Sequence, residues 1–171
     1  IPFFWLKPGE MDLGGDSSRL YFYDPLRYLS SQSLFSISHS SFGGENLSFF
    51  GIPFFLFLFV LKLIFHSPTT LMSAFHGFSL SLAFLSCYFI VKELLNGQEK
   101  EREKNTIVIE AASILSGLFY TLSPIPITGW GYVLLTYNQV FLNPLMFFLL
   151  LRFLLTKNIR YMIAIVLLSF I

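Results

Sequence analysis

Charged residues are scarce in this chain, and one long stretch has none. Only 12% of the 171 residues are Asp, Glu, Lys or Arg, about half of the roughly 25% that is usual for a soluble domain. Between Ala111 and Leu151 no residue of these four types occurs. So few ionic groups cannot cover a surface that faces water on all sides, which argues against an ordinary soluble protein.

Two further deficits exclude other classes of protein. Cys87 is the only cysteine of the sequence and lies in an apolar run. The chain therefore cannot form an intrachain disulfide, and its sequence has no cysteine spacing typical of a metal site. The formal net charge is only +1, whereas a nucleic-acid-binding face needs a concentration of Lys and Arg. We therefore expect no nucleic-acid partner.

Long apolar segments are what the sequence has in abundance. Hydrophobic residues make up 54% of the chain, 22 residues are Phe, and the mean hydropathy is +0.67. Runs at 71–95, 106–123 and 139–155 approach or reach the roughly 20 residues that cross a bilayer as a helix, although Asn143-Pro144 interrupts the third. A further apolar run begins at 160–171. The sequence predicts an all-α, polytopic transmembrane helical bundle, integral to the membrane, with the lipid bilayer as its partner.

The run 106–123 also carries small residues at helical spacing. Ala112 and Ser116 are four residues apart, as are Ser113 and Gly117. Small residues at this spacing let two helices approach closely in a membrane, which predicts tight packing of this helix against a neighbour.

Both ends of the sequence lie inside apolar runs. We interpret residues 1–6 as the end of a truncated span and 160–171 as the start of a further one. The chain is thus expected to be a fragment, truncated at both ends, of a larger multi-span protein.

The distribution of Lys and Arg predicts the orientation of the spans. Segment 92–104 contains four of them, 152–160 contains three, and 124–138 contains none. Because loops rich in Lys and Arg stay cytoplasmic, 96–105 and 156–160 should be cytoplasmic and 124–138 external.

The short apolar run 49–65 leaves the side of the N-terminal segment open. If it crosses the bilayer, the polar residues 7–48 are cytoplasmic; if it is a juxtamembrane or re-entrant helix, they are extracytoplasmic. Its 17 residues are at the lower limit for a span, and Gly51 and Pro53 stand at its start, which favours the second alternative.

All three aspartates of the chain, Asp12, Asp16 and Asp24, lie in the polar segment 7–48. Gly14-Gly15 permits a tight turn that would bring Asp16 close to a ligand. A carboxylate there can act as a general base toward a hydroxyl or bind a divalent cation, and Arg19 can pair with a phosphate. The competing interpretation is a solvated loop, with Asp24-Pro25 as a turn or helix cap.

Lys62 and Glu110 are charged residues that lie within apolar runs. Lys62 can either extend toward lipid head groups or bind a lipid-linked phosphate. Glu110 lies in the first turns of a predicted span, where the helix dipole favours an acid.

Several motifs resemble the N-terminal part of GT-C-type membrane glycosyltransferases, especially the YfhO-like and arabinofuranosyltransferase-like groups. The similar motifs are Gly-Gly-Asp at 14–16, Tyr-Asp-Pro-Leu at 23–26, Ile-Pro-Phe-Phe at 52–55 and Leu-Phe-Tyr-Thr-Leu-Ser-Pro at 118–124. The segments also follow the same order: a span, a polar loop, a short apolar run that begins with proline, and closely spaced spans.

The resemblance implies an activity and a location. It implies transfer of a sugar from a polyprenyl-phosphate donor to a glycan or lipid acceptor outside the plasma membrane of a prokaryote. Asp16 would be the catalytic base or a metal ligand, with Arg19, Asp12, Asp24 and Lys62 as substrate-binding residues. A divalent cation is the candidate cofactor. The alternative is a non-catalytic multi-span protein, either a transporter or a lipid or polymer export subunit.

Overall fold

All of the chain that the structure, a computed structural model, describes is helical or connects helices. It describes residues 7, 9–10, 20–30, 52–98, 106–123 and 134–169, and these contain no β-strand. This confirms the all-α prediction for those residues. The elements are a 3-10 turn at Leu20–Phe22 and the helices α1 Pro25–Tyr28, α2 Ile52–Ile64, α3 Pro68–Gln98, α4 Thr106–Thr121, α5 Leu134–Thr156 and α6 Ile159–Leu168.

Helix α3 is the longest element. Its stretch Pro68–Asn96, 29 residues long, is the one helix in the described part of the chain that is long and apolar enough to cross a membrane. A core helix of a soluble protein passes the same test of length and composition, but it is mostly buried. In α3 only 28% of the most apolar window is buried, which suits contact with lipid better than a soluble core.

The other predicted spans coincide with helices that are shorter in their apolar, described portions. Helix α4 lies within 106–123, α5 includes 139–155, and α6 begins within one residue of 160. Their apolar stretches contain 10–17 residues each, which is below the length that spans a bilayer unaided. That these helices cross a membrane therefore stays a prediction.

The structure corrects one detail of the predicted local structure. The interruption expected at Asn143-Pro144 is wrong, because α5 is one helix from Leu134 to Thr156 with Pro144 inside it. Proline removes one backbone hydrogen bond, and the rest of the helix continues on both sides of it. In the N-terminal segment, Asp24 separates the 3-10 turn from the single turn of α1.

The chain divides into two compact units, which are described separately. One contains Ile1–Gly77 with Ser169–Ile171, and the other contains Phe78–Leu168. The division falls inside α3.

An aromatic core holds the first unit together. The ring of Tyr21 lies 5.7 Å from that of Phe54 and 6.0 Å from that of Phe55, centroid to centroid, and Phe22 lies 5.7 Å from Phe75. These five side chains are at most 5% exposed. Aromatic pairs contribute about 0.5–1.5 kcal/mol beyond the burial of their area, so the short 3-10 turn is fixed on α2 and α3 although it has little stability of its own.

A close helix–helix contact organises the second unit. Ser113 is fully buried, and Gly117 of α4 faces the side chain and backbone of Phe84 on α3. This confirms the close approach predicted from the Ser113–Gly117 spacing. The pair Ala112 and Ser116, by contrast, is half-buried.

A two-residue turn joins α5 and α6 into a helical hairpin. Lys157 adopts a left-handed backbone with φ of 55°, and its N–H donates to the carbonyl of Phe153 at 2.7 Å. The Asn158 side chain then accepts from the N–H of Arg160 at 3.1 Å, in the manner of a helix N-cap. The chain reverses within two residues, so α5 and α6 pack as antiparallel neighbours.

Candidate functional site

Asp24 is a helix cap in this structure. Its Oδ1 accepts a hydrogen bond from the N–H of Arg27 at 3.1 Å, and its carbonyl accepts from the N–H of Tyr28 at 3.2 Å. Pro25 occupies the first helical position, where its missing N–H costs nothing. Of the two interpretations of Asp24, the cap is the one that these contacts support.

Lys62 connects α2 to the residue before that cap. Its Nζ donates a hydrogen bond to the carbonyl of Tyr23 and lies 5.8 Å from the centroid of the Tyr23 ring. Both acceptors are electrically neutral, and no carboxylate pairs with Lys62 among the residues that the structure describes. Lys62 therefore acts as a tether between α2 and Tyr23.

A second tether joins Glu10 to the start of α3. The hydroxyl of Thr69, a residue only 7% exposed, donates to the carbonyl of Glu10 at 2.5 Å. Glu10 also closes a local turn, because its N–H donates to the carbonyl of Lys7 at 2.9 Å while its carboxylate accepts from the N–H of Lys7 at 3.2 Å.

The two tethers lie on either side of the corner between α2 and α3. Lys62 is in the last turn of α2, and Thr69 is in the first turn of α3. Their partners, Glu10 and Tyr23, flank residues 11–19, the segment with the candidate residues Asp12, Asp16 and Arg19. Those three residues lie outside the part of the chain that the structure describes. What the structure provides is two fixed ends for their segment, both at the α2–α3 corner.

The described residues bring together no ligand set for a metal ion. Among them, no group of three or more His, Cys, Asp or Glu side chains could hold a cation. The candidate ligands Asp12 and Asp16 are not among them, so the divalent cation stays a prediction.

A second group of polar residues lies in the other compact unit, between α3 and α4. The Tyr88 hydroxyl donates to Glu110 Oε2 at 2.6 Å, and Lys92 Nζ donates both to the Tyr88 oxygen at 2.9 Å and to Glu110 Oε1. Lys92 and Glu110 are each about one-third exposed, at 32% and 37% of the side chain. The sequence had singled out Glu110 by its place near a helix start, and the structure adds Tyr88 and Lys92 as its partners.

The next residue of α3 makes an ion pair in a different direction. Glu93 Oε1 accepts from Arg152 of α5 at 2.5 Å, and both side chains are 31% exposed. Arg152 also donates to the Tyr161 hydroxyl of α6 at 3.4 Å. Sequence reasoning missed this cluster. The sequence signal for it is that Glu93 and Arg152 are charged residues near the ends of two predicted spans. Antiparallel packing of these two spans would bring the two ends together.

Comparison of the chain with protein-family models, with curated proteins and with solved structures finds no match.

Proposed function

We propose that this chain belongs to a polytopic membrane glycosyltransferase of the GT-C type, which transfers a sugar from a polyprenyl-phosphate donor to an extracytoplasmic acceptor. The proposal includes several membrane-crossing helices, α3 to α6, in the plasma membrane of a prokaryote. Two kinds of observation support it: the resemblance of the sequence motifs, and the contacts around the α2–α3 corner.

The observation that carries the proposal is the double anchoring of segment 11–19. Glu10 is bonded to Thr69 and Tyr23 is bonded to Lys62, so a carboxylate-bearing segment has both ends attached where a short apolar helix meets a long one. A catalytic base must be held in position relative to its substrate. Glu10 and Tyr23, on either side of the segment that contains Asp16, are therefore both attached at the α2–α3 corner.

The length of α2 supports an extracytoplasmic location for this segment. Its 13 residues rise about 20 Å, whereas the hydrocarbon core is about 30 Å thick. A helix of this length suits a juxtamembrane position. Residues 7–48 and the α2–α3 corner would then lie on one side of the membrane, which is the external side according to the distribution of Lys and Arg.

Each candidate residue has a distinct role in the proposed reaction. The Asp16 carboxylate takes the proton of the acceptor hydroxyl as the acceptor oxygen forms a bond to C1 of the sugar. The bond from C1 to the donor's phosphate oxygen breaks, and the electron pair leaves with the polyprenyl phosphate.

Positive charge is needed where the phosphate becomes free. Lys62 is suited to this role because its ammonium group lies at the α2–α3 corner and pairs with no carboxylate among the described residues. Arg19 belongs to the segment between the two tethers. Asp12 is assigned to acceptor binding, whereas Asp24 keeps the structural role of a cap. If a divalent cation is used, Asp12 and Asp16 are its candidate ligands, and it would neutralise phosphate charge.

The transporter alternative has no comparable support. Transporters place their sites at broken helices near the middle of the membrane, and Asn143-Pro144 is where a predicted span is interrupted in the sequence. Helix α5 is continuous through it, so no observation favours that alternative.

Asp16→Asn tests the proposal, with Asp24→Asn as the matched control. Transfer of radiolabelled sugar from a polyprenyl-phosphate donor would be measured with the full-length protein in membranes. Loss of a general base lowers the rate by about 10²–10⁴-fold, so Asp16→Asn should be inactive at wild-type expression. Asp24→Asn should stay active, because Asn caps a helix as well as Asp does. Full activity of Asp16→Asn would refute the catalytic role.

A further inference from the structure

Helix α3 carries two neighbouring residues of opposite charge that pair with two different helices. Lys92 pairs with Glu110 of α4, and Glu93 pairs with Arg152 of α5. Successive residues of an α-helix point about 100° apart, so one helix end presents a positive group toward one neighbour and a negative group toward another. The four charges sum to zero.

We propose that Lys92 and Glu93 form a two-sided charge code that selects α4 for one side of α3 and α5 for the other, and that locks this unit in a single arrangement. The inference concerns assembly of the helices and does not depend on the proposed glycosyltransferase activity.

The signs of the charges support selection as well as attachment. If α4 and α5 exchanged places, Glu110 would face Glu93 and Arg152 would face Lys92. Both contacts would be repulsive, so the wrong arrangement is penalised while the right one is favoured. Specificity of this kind combines attraction to the right partner with repulsion of the wrong one.

Hydrophobicity alone cannot make the same choice. Lipid tails are as apolar as the helix surfaces, so the hydrophobic effect does not distinguish one helix neighbour from another inside a bilayer. The other α3–α4 contact, Phe84 against Gly117, depends on shape. The two ion pairs are the charged contacts that the structure describes between α3 and its neighbours.

A tyrosine completes each ion pair. Tyr88, one turn before Lys92, bonds to both Lys92 and Glu110, whereas Tyr161 bonds to Arg152 and lies 5.7 Å from its guanidinium. Additional hydrogen bonds to the charged groups help an ion pair to offset the cost of removing its charges from water. Through Tyr161 the lock also reaches α6.

The chain offers an exposed ion pair for comparison. Lys7 and Glu10 are 3.9 Å apart, with side chains 84% and 57% exposed, and pairs of this kind contribute little to stability. Reversing their charges is therefore a matched control for reversing charges on α3.

Charge reversal with repair tests the proposal in the full-length detergent-solubilised protein. Lys92→Glu and Glu110→Lys would each be measured alone and together, and Glu93→Lys and Arg152→Glu likewise. We expect each single reversal to lower the Tm by about 2–4 °C and each double reversal to restore most of the loss. The combination Lys92→Glu with Arg152→Glu mixes partners of the two pairs and should not be repaired.

The rate of Cys87 labelling by a maleimide gives a second readout. Cys87 is the one cysteine of the chain and is only partly exposed on α3. Loss of either ion pair should loosen the packing around α3, so single reversals should raise the labelling rate of Cys87 several-fold. The Lys7→Glu, Glu10→Lys control should leave this rate unchanged. If a reversed variant is not produced, the milder Lys92→Gln and Glu110→Gln replace it in the same cycle. Strictly additive double variants, or single reversals no more harmful than the control, would overturn the charge code.

Discussion

Replacing Gly117 with valine tests how closely α3 and α4 approach each other. A Cβ atom at Gly117 would lie 2.6 Å from Cδ2 and 2.7 Å from Cε2 of the Phe84 ring, and 3.0 Å from the Phe84 carbonyl oxygen. Carbon atoms in normal contact are about 3.5–4.0 Å apart. The Phe84 ring would therefore have to move by about 1 Å. The contact with the Phe84 carbonyl oxygen could be relieved only if the backbones of α3 and α4 moved apart.

The expected magnitude follows from two opposing effects. Overpacking of a well-filled contact costs about 1–3 kcal/mol, and the two further methyl groups of valine place it toward the upper half of that range. The replacement of glycine inside a helix recovers less than about 1 kcal/mol of helix propensity. We therefore expect Gly117→Val to lower the free energy of unfolding by roughly 1–2 kcal/mol.

Equilibrium unfolding in mixed detergent–SDS micelles, followed by circular dichroism, would measure this change. Ala111→Val is the matched control, because Ala111 is on the same helix and exposed. Phe84→Leu introduced together with Gly117→Val should recover part of the loss, since it removes the ring that valine meets. Unchanged stability of Gly117→Val, or an equal loss in Ala111→Val, would refute the close contact.

Two further predictions concern topology and the N-terminal unit. In a Cys87→Ser background, the Gln98→Cys variant should resist an impermeant maleimide that is added from outside, because 96–105 is predicted to be cytoplasmic. The Arg27→Cys and Ser67→Cys variants should both react with the same reagent from outside. Labelling of these two positions from opposite sides of the membrane would show that α2 crosses the bilayer. Asp24→Ala should lower the free energy of unfolding by about 0.5–2 kcal/mol through loss of the N-cap. Asp24→Asn should match the wild type when unfolding is measured in the same detergent–SDS micelles. Equal losses in the two variants would rule out the cap.

Local sequence determined most of the helices. The apolar runs beginning at 71, 106, 139 and 160 each fall on a helix, since hydrophobic composition and helix propensity act over neighbouring residues. The small pair Ser113 and Gly117 predicted a close contact because spacing on one helix face is fixed by the 3.6-residue period. The continuity of α5 through Pro144 was not predictable in the same way, since a proline ends some helices and is accommodated in others according to what packs around it.

The candidate site divides along the same line. Its three aspartates, with Arg19, are evident in the sequence by type and clustering, and the resemblance supplies their proposed roles. That Thr69 and Lys62 would hold the two ends of their segment follows only from the tertiary structure, because these contacts join residues 59 and 39 positions apart. The same holds for Glu93 and Arg152, 59 positions apart. The sequence shows the sign of a charged residue and its position on a helix. Its partner depends on which helix ends come together when the chain folds.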